Sequence, residues 1–556
     1  MSIDHNVSLP EDALLDKAAK RPFWGRLAIY SRLSGPGWLQ GAVTLGGGSL
    51  AGSLFIGILA GPHLLWVQAF AMICGITMLS AIAYVTLSTG QRPMETISRH
   101  LTPVLAIAWA VATVIANVVF ALPQFALATS TTMQNLVPGT AASTSAPWII
   151  GAVLALSSIA IVWGYEAGSR GIRMFEIVLK ILVGVIVVAF FYAVAMLVIR
   201  GEIDVGALLS GFIPHLSQLS EPTPQISEIA AATGAHESIW RIIITSQQRD
   251  IIIAAGGAAV GINMTFLLPY TLLRRGWKRK HRELSVFDLS LGLFIPFVIA
   301  TSCLVLAASS AFYTKTDDVL DASGGVRPAM ARAYAASVDG FLAKRDVVGF
   351  AAASVDEKIA MRAAIAPEDR RMAAMLASRD AGQLSASLEP VLGRTGARLV
   401  FGIGVLAMAW SSIIILILMN GMAIGALAKR DTDRTVFRLG TLMPAISGFL
   451  APVIWTGASR AALAIPASVI ATTLLPIAYF TFFLLMNSKG ALGDHRPRGT
   501  FRIVSNLLMF GATAAATLAS VWALTSRGVA GQWGLAGLAI LFVVGIVGFV
   551  RKRNTV

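Results

Sequence analysis

Apolar residues in this chain gather into long runs separated by short polar stretches. A helix needs about 20 apolar residues to cross a bilayer core, and these runs reach that length. They show no apolar–polar alternation in ten-residue segments, which excludes a porin-type barrel. The pattern predicts about twelve spanning helices, the count following from that span length. They lie near 35–61, 63–88, 103–134, 147–164, 174–199, 251–273, 286–312, 398–427, 437–456, 460–486, 502–525 and 531–550.

Composition supports the same class. Hydrophobic residues make up 56% of the chain and charged ones only 13%, too few to surface a soluble fold. The formal charge of +15 would suit a nucleic-acid partner, but its placement argues otherwise. Basic residues follow the even-numbered spans. They include Arg92 and Arg99, Arg170 and Arg173, the stretch Arg274 to Arg282, Lys429 and Arg430, and Arg496 and Arg498. Arg551 to Arg553 follow the last span. The positive-inside rule then predicts a multi-pass protein of the cell's inner (cytoplasmic) membrane with both termini cytoplasmic. The lipid bilayer is the expected partner and no nucleic acid is needed. Residues 1–34 lack the basic start, short apolar core and cleavage site of a signal peptide, and read as a cytoplasmic segment. The two cysteines, Cys74 and Cys303, fall inside apolar runs and read as buried small residues.

Two connections are long. Residues 201–250 are rich in turn formers and read as an outer loop. Residues 315–397 are alanine-rich with helical periodicity, and Pro367 followed by Glu368 and Asp369 marks a helix start. This second segment reads as a small helical cap outside the membrane.

Two spans are interrupted. The first carries "TLGGGSLAG" (Thr44 to Gly52), and each glycine costs about 1 kcal/mol of helix propensity relative to alanine. The sixth carries "GGAAVGINMTFLLPY" (Gly256 to Tyr270), with the break around Gly261. Close helix packing through Gly48 and Gly52 would explain the first alone. Matching breaks five spans apart point instead to inverted repeats with a binding site between them.

The chain resembles the NRAMP family of divalent metal transporters. "GPGWLQGAVTLGGGSLAGSLFIG" (Gly35 to Gly57) is similar to that family's first span, "GIRMFEIVLK" (Gly171 to Lys180) to its fifth, and "DLSLGLFIPFVIATSCLVLAA" (Asp288 to Ala308) to its seventh. The resemblance implies an all-α integral membrane protein of the leucine-transporter type. That fold has two inverted repeats of five helices plus two peripheral C-terminal helices. The implied division is a first repeat at 35–200, the outer loop 201–250, and a second repeat at 251–487 carrying the insertion 315–397. The last two spans and a short tail fill 488–556.

The departures are specific. The family's first-span "DPGN" is matched by "GGGS", so Gly46 takes the aspartate position and Ser49 the asparagine position. Its sixth-span "MPH" is matched by "GIN", with Gly261 for methionine and Asn263 for histidine. The third-span acids linked to proton movement fall in Thr113 to Phe125, where no residue is acidic. All seven histidines lie in loops or at span ends, and Asp288 reads as interfacial. None of the family's metal ligands is retained, and no cofactor is expected.

The candidate substrate-binding residues are Gly46, Gly47, Ser49, Gly261, Asn263, Thr44, Gln124 and Thr265. A dehydrated transition ion needs carboxylate, thiolate, imidazole or thioether ligands. Neutral groups fit a divalent cation that keeps its water, such as Mg²⁺, moved by alternating access. A small organic solute, an amino acid or carboxylate, is the alternative, since glycine-rich breaks expose helix N-termini. A non-transporting pseudo-transporter is the third. An enzyme is not expected, as no nucleophile–base pair falls at membrane depth.

Overall fold

The structure is a computed structural model that describes residues 10–140, 143–165, 169–201, 205–387, 389–454 and 461–554. Positions 455–456 of the predicted ninth span, 460 of the tenth, and the extreme termini lie outside the described residues. Each predicted run is helical over its described part. The first span is Pro36–Thr44 and Gly47–Ala60, and the second is Leu65–Thr89. The third to fifth are Pro103–Thr131, Ala146–Tyr165 and Ser169–Ile199. The sixth is Glu237–Ala259 and Ile262–Arg274. In the seventh, Arg282–Leu289 and Ile295–Phe312 are joined by a π-turn, Ser290–Phe294. The eighth is Glu389–Leu427, kinked at Gly393, and the ninth is Arg434–Phe449. The tenth to twelfth are Ala464–Asn487, Gly499–Thr525 and Gly528–Asn554. Among the described residues the sole β feature is an isolated bridge between Leu320 and Val326.

Large apolar side chains stand exposed along these helices. Ile149 and Leu156, Val188 and Phe191, Leu507 and Phe510, and Trp533 and Ile540 are examples from the fourth, fifth, eleventh and twelfth spans. A soluble protein does not present so much apolar surface, so this is a lipid-facing belt. The twelfth span is largely exposed along its described residues, in keeping with a peripheral helix.

The sixth span corrects the sequence reading. Its helix begins at Glu237, inside the segment expected to be a loop, and Pro224–Ala231 is also helical. Hydropathy stops at Arg249 and Asp250, but the helix does not. Trp240, Ile244, Gln248 and Ile251 are buried at spacings of three and four, the stripe of an amphipathic helix. The N-terminal segment likewise holds two helices, Pro10–Ala19 and Phe23–Leu33, docked through Leu15, Ala18, Tyr30 and Leu33.

The insertion is helical and covers one end of the bundle. The helix predicted at Pro367 is Pro367–Leu376, with Glu368 and Asp369 in its first turn. Val338, Phe341 and Met372 of the insertion share a core with Ile56 and Leu59 of the first span and Ile244 and Ile251 of the sixth. Phe341 stacks on Trp240 with centroids 4.6 Å apart. Asp369 accepts from Trp240 Nε1 at 2.7 Å and pairs with His236 Nδ1 at 2.7 Å. The insertion therefore grips the second half of the first span and the first half of the sixth.

At the opposite end a buried carboxylate organises the chain. Asp288 accepts from Gly35 N at 2.8 Å, from Gly37 N at 2.6 Å, and from the Ser34 hydroxyl. It is 1% exposed, buried within the protein at that end of the seventh span. Behind it, a Cβ on Gly37 would lie 2.1 Å from the Asp288 carbonyl oxygen. One on Gly41 would lie 2.1 Å from that of Gly292. Glycine is what lets these two backbones touch.

Candidate functional site

Both interruptions are real breaks. Thr44 ends the first half-helix, Leu45 leaves it at ψ 75°, and Gly46 is extended. A break at membrane depth strands backbone groups that water cannot reach, and each must find a partner. Gly46 N is 2.9 Å from Thr44 O and 3.1 Å from Ser49 Oγ, while Gly47 N donates to Gln124 Oε1 at 2.7 Å. The carbonyls that would have received those groups turn to the eighth span. Ser411 Oγ donates to Ala42 O at 2.8 Å and Ser412 Oγ to Val43 O at 3.1 Å.

The sixth span is treated the same way. Ala259 O is freed by the break and accepts from Thr44 Oγ1 at 3.1 Å. Thr472 of the tenth span inserts its hydroxyl into the helical ladder. It accepts from Gly257 N at 2.8 Å and donates to Ile253 O at 2.8 Å. Thr44 thus ties one break to the other.

Between the breaks lies a cavity open to the centre of a water molecule over ≈ 20 Å³. One water needs about 10–15 Å³ by that measure, so about one or two fit. Its polar wall is Thr44, Gln124 and Asn263, with backbone at Gly48, Gly257 and Gly261. Its apolar wall includes Val43, Phe120, Met264 and Leu416. No titratable side chain lines it. Among the described residues, no group of three or more His, Cys, Asp or Glu could hold a metal.

The structure divides the eight predicted residues. Thr44, Gln124, Gly261 and Asn263 line the cavity. Gly46, Gly47, Ser49 and Thr265 do not. Ser49 Oγ is folded back on its own break, donating to Gly46 O at 2.9 Å. Thr265 Oγ1 accepts from Trp109 Nε1 at 2.9 Å, away from the site. A Cβ on Gly46 would lie 2.2 Å from Ser412 Oγ, so a side chain there would require the Ser412 hydroxyl to move.

Seven lining residues were missed, Gly48 and Met264 among them. Met264 brings the thioether that the sequence reading found absent, and its sulfur lies 3.2 Å from Thr44 Oγ1. The signal was present, since Met264 stands one helical turn after Gly261, on the same face.

The profile described as "Natural resistance-associated macrophage protein-like" matches residues 37–338 and 359–525. The chain belongs to this family. As an Nramp-family chain of this length and hydropathy it is a multi-pass membrane protein. Among solved structures it is similar to the manganese transporter of Eremococcus coleocola in complex with an aromatic bis-isothiourea compound. That likeness has a TM-score of 0.65 at 14% identity, covering 99% of this chain and 100% of the other. A single-residue variant of the same transporter matches with a TM-score of 0.65 at 13% identity, covering 98% of each chain. No curated protein matches by sequence. The likeness establishes the leucine-transporter-type fold.

Proposed function

We propose that this Nramp-family chain is a secondary transporter that carries a divalent metal cation retaining part of its water, with Mg²⁺ the best fit. The observation that carries the reading is the charge-neutral cavity at the paired breaks, framed by Thr44, Gln124, Asn263 and Met264. A doubly charged ion stripped of water would meet there no carboxylate to balance it. Mg²⁺ dehydrates reluctantly and is held through its waters, which hydroxyl and amide groups can bind. The cavity is narrow in this conformation, with room for about one or two waters. The ion would enter when the repeats 35–200 and 251–487 rock apart, the motion of this fold class. With no acid at the site, its own gradient and the membrane potential would drive it, with both termini cytoplasmic.

A small carboxylate is the second reading. What favours it is the start of two half-helices, Gly47–Ala60 and Ile262–Arg274, beside the cavity, where anions are stabilised.

Thermal melting of the detergent-solubilised protein separates these. Mg²⁺ at about 100-fold its Kd should raise the melting temperature by roughly 2–5 °C. Manganese at the same concentration should do no more, and amino acids and carboxylates should do nothing. A clear rise with manganese alone would overturn the hydrated-ion reading. A rise with carboxylates alone would establish the second.

A further inference from the structure

Asn263 enters the cavity wall at the head of a hydrogen-bonded chain of amides that no transport step above uses. Asn263 Nδ2 donates to Asn117 Oδ1 of the third span at 3.0 Å. Asn117 Nδ2 lies 3.4 Å from Asn420 Oδ1 of the eighth span. Asn420 Nδ2 donates to Gly440 O of the ninth span at 2.8 Å. All three side chains are buried, at 2%, 0% and 0% exposure.

An amide's oxygen and nitrogen look alike to most methods, so orientation must come from the bonding. Here it comes from the far end. Gly440 O is a carbonyl and can only accept, so Asn420 must turn its NH₂ toward it. Asn420 then shows Asn117 an oxygen, and Asn117 must donate. Asn117 in turn shows Asn263 an oxygen, and Asn263 must donate. The Asn263 oxygen is left on the other side, where it accepts from Met264 N at 3.0 Å. It sits close enough to Gly261 that a Cβ there would lie 2.5 Å away. Gly261 and Met264 both line the cavity.

We infer that the chain Gly440–Asn420–Asn117 is a positioning device that makes Asn263 present its oxygen to the cavity, selecting a cation or its water over an anion. Each amide dipole points its negative end toward the site, and aligned hydrogen bonds of this kind strengthen one another. Four uncharged groups thereby lend the cavity cation preference without a carboxylate. This rests on the cation reading above and adds the residues that impose it.

The test removes the director without touching the cavity. Asn420→Leu and, on a different helix, Asn117→Leu are compared with the parent protein in proteoliposomes. Uptake is read with Mg²⁺, Mn²⁺, Ca²⁺ and small carboxylates. Released from the chain, Asn263 has only the Met264 N–H to hold its oxygen in place, and its amide turns its NH₂ to the site more often. Each variant should raise KM for the transported cation about tenfold, with maximal rate within about twofold of the parent. A role in packing alone would lower the rate and leave KM unchanged, and that result in both variants overturns the inference. If the parent carries a cation other than Mg²⁺ and the variants lose affinity for it, the ion assignment fails and the inference stands. If the parent carries carboxylates, or no cation at all, both fall.

Discussion

Asp288→Ala should abolish transport and strip most of the stability from the first half of the first span. The Asp288 carboxylate accepts from Gly35 N at 2.8 Å, Gly37 N at 2.6 Å, and the Ser34 hydroxyl, all at the start of the helix Pro36–Thr44. Alanine offers no acceptor. A buried N–H left without a partner costs about 1–3 kcal/mol, so two cost roughly 2–6 kcal/mol. The negative charge beside that helix start is lost as well. The glycine contacts at Gly37, Gly41 and Gly292 cannot relax to compensate, because backbone already touches backbone there. Asp288→Asn should fall between, since the amide keeps one oxygen but faces an N–H with its own NH₂. Melting in detergent and uptake in proteoliposomes check the order, which is parent above asparagine above alanine. Equal melting temperatures for all three would show that Asp288 does not hold this joint.

Asp318→Ala should open the insertion while leaving the spanning bundle folded. Arg379 is fully buried and forks onto Asp318, with Nε and one NH₂ each 2.9 Å from a carboxylate oxygen. Its remaining NH₂ donates to Met375 O and Ala377 O, both at 2.7 Å. Removing one partner of a buried pair leaves a charge uncompensated and costs about 3–5 kcal/mol. Asp318 is 24% exposed, so water can partly replace it and the loss should sit at about 3 kcal/mol, the low end of that range. Arg370 and Arg371 lie in the adjoining helix Pro367–Leu376 and should become trypsin-sensitive. Cleavage at them in the variant, with the bundle still intact on a gel, is the expected outcome. An unchanged digestion pattern would mean that the pair is dispensable.

The spans were legible because a bilayer imposes one crude requirement, a long apolar run, and composition alone reveals whether it is met. The breaks were legible for a related reason. "GGGS" and the stretch around Gly261 violate helix propensity where nothing local excuses it. The start of the sixth helix was not legible. Arg249 and Asp250 end the hydropathy run, yet the helix reaches back to Glu237 because Trp240 and Ile244 bury against the insertion, a contact between segments far apart in sequence. The burial of Asp288 was hidden in the same way, since its donors come from Ser34, Gly35 and Gly37. Within the site, Ser49 looked like a ligand by matching a motif position, but its hydroxyl satisfies the break itself. Met264 fell outside the motif and was passed over, although helical periodicity puts it on the wall. Motif alignment finds positions. Which side of a broken helix a residue faces depends on where the break falls.

Flux of Mg²⁺ into proteoliposomes under an inside-negative potential, with and without an inward proton gradient, tests the central claim most directly. The potential supplies about 2.3 kcal/mol per charge per 100 mV, about 4.6 kcal/mol for a divalent ion. A cavity without acids predicts uptake that grows with potential and is indifferent to the proton gradient, with manganese gaining no preference. Uptake that requires the proton gradient, or that favours manganese over magnesium, would contradict it.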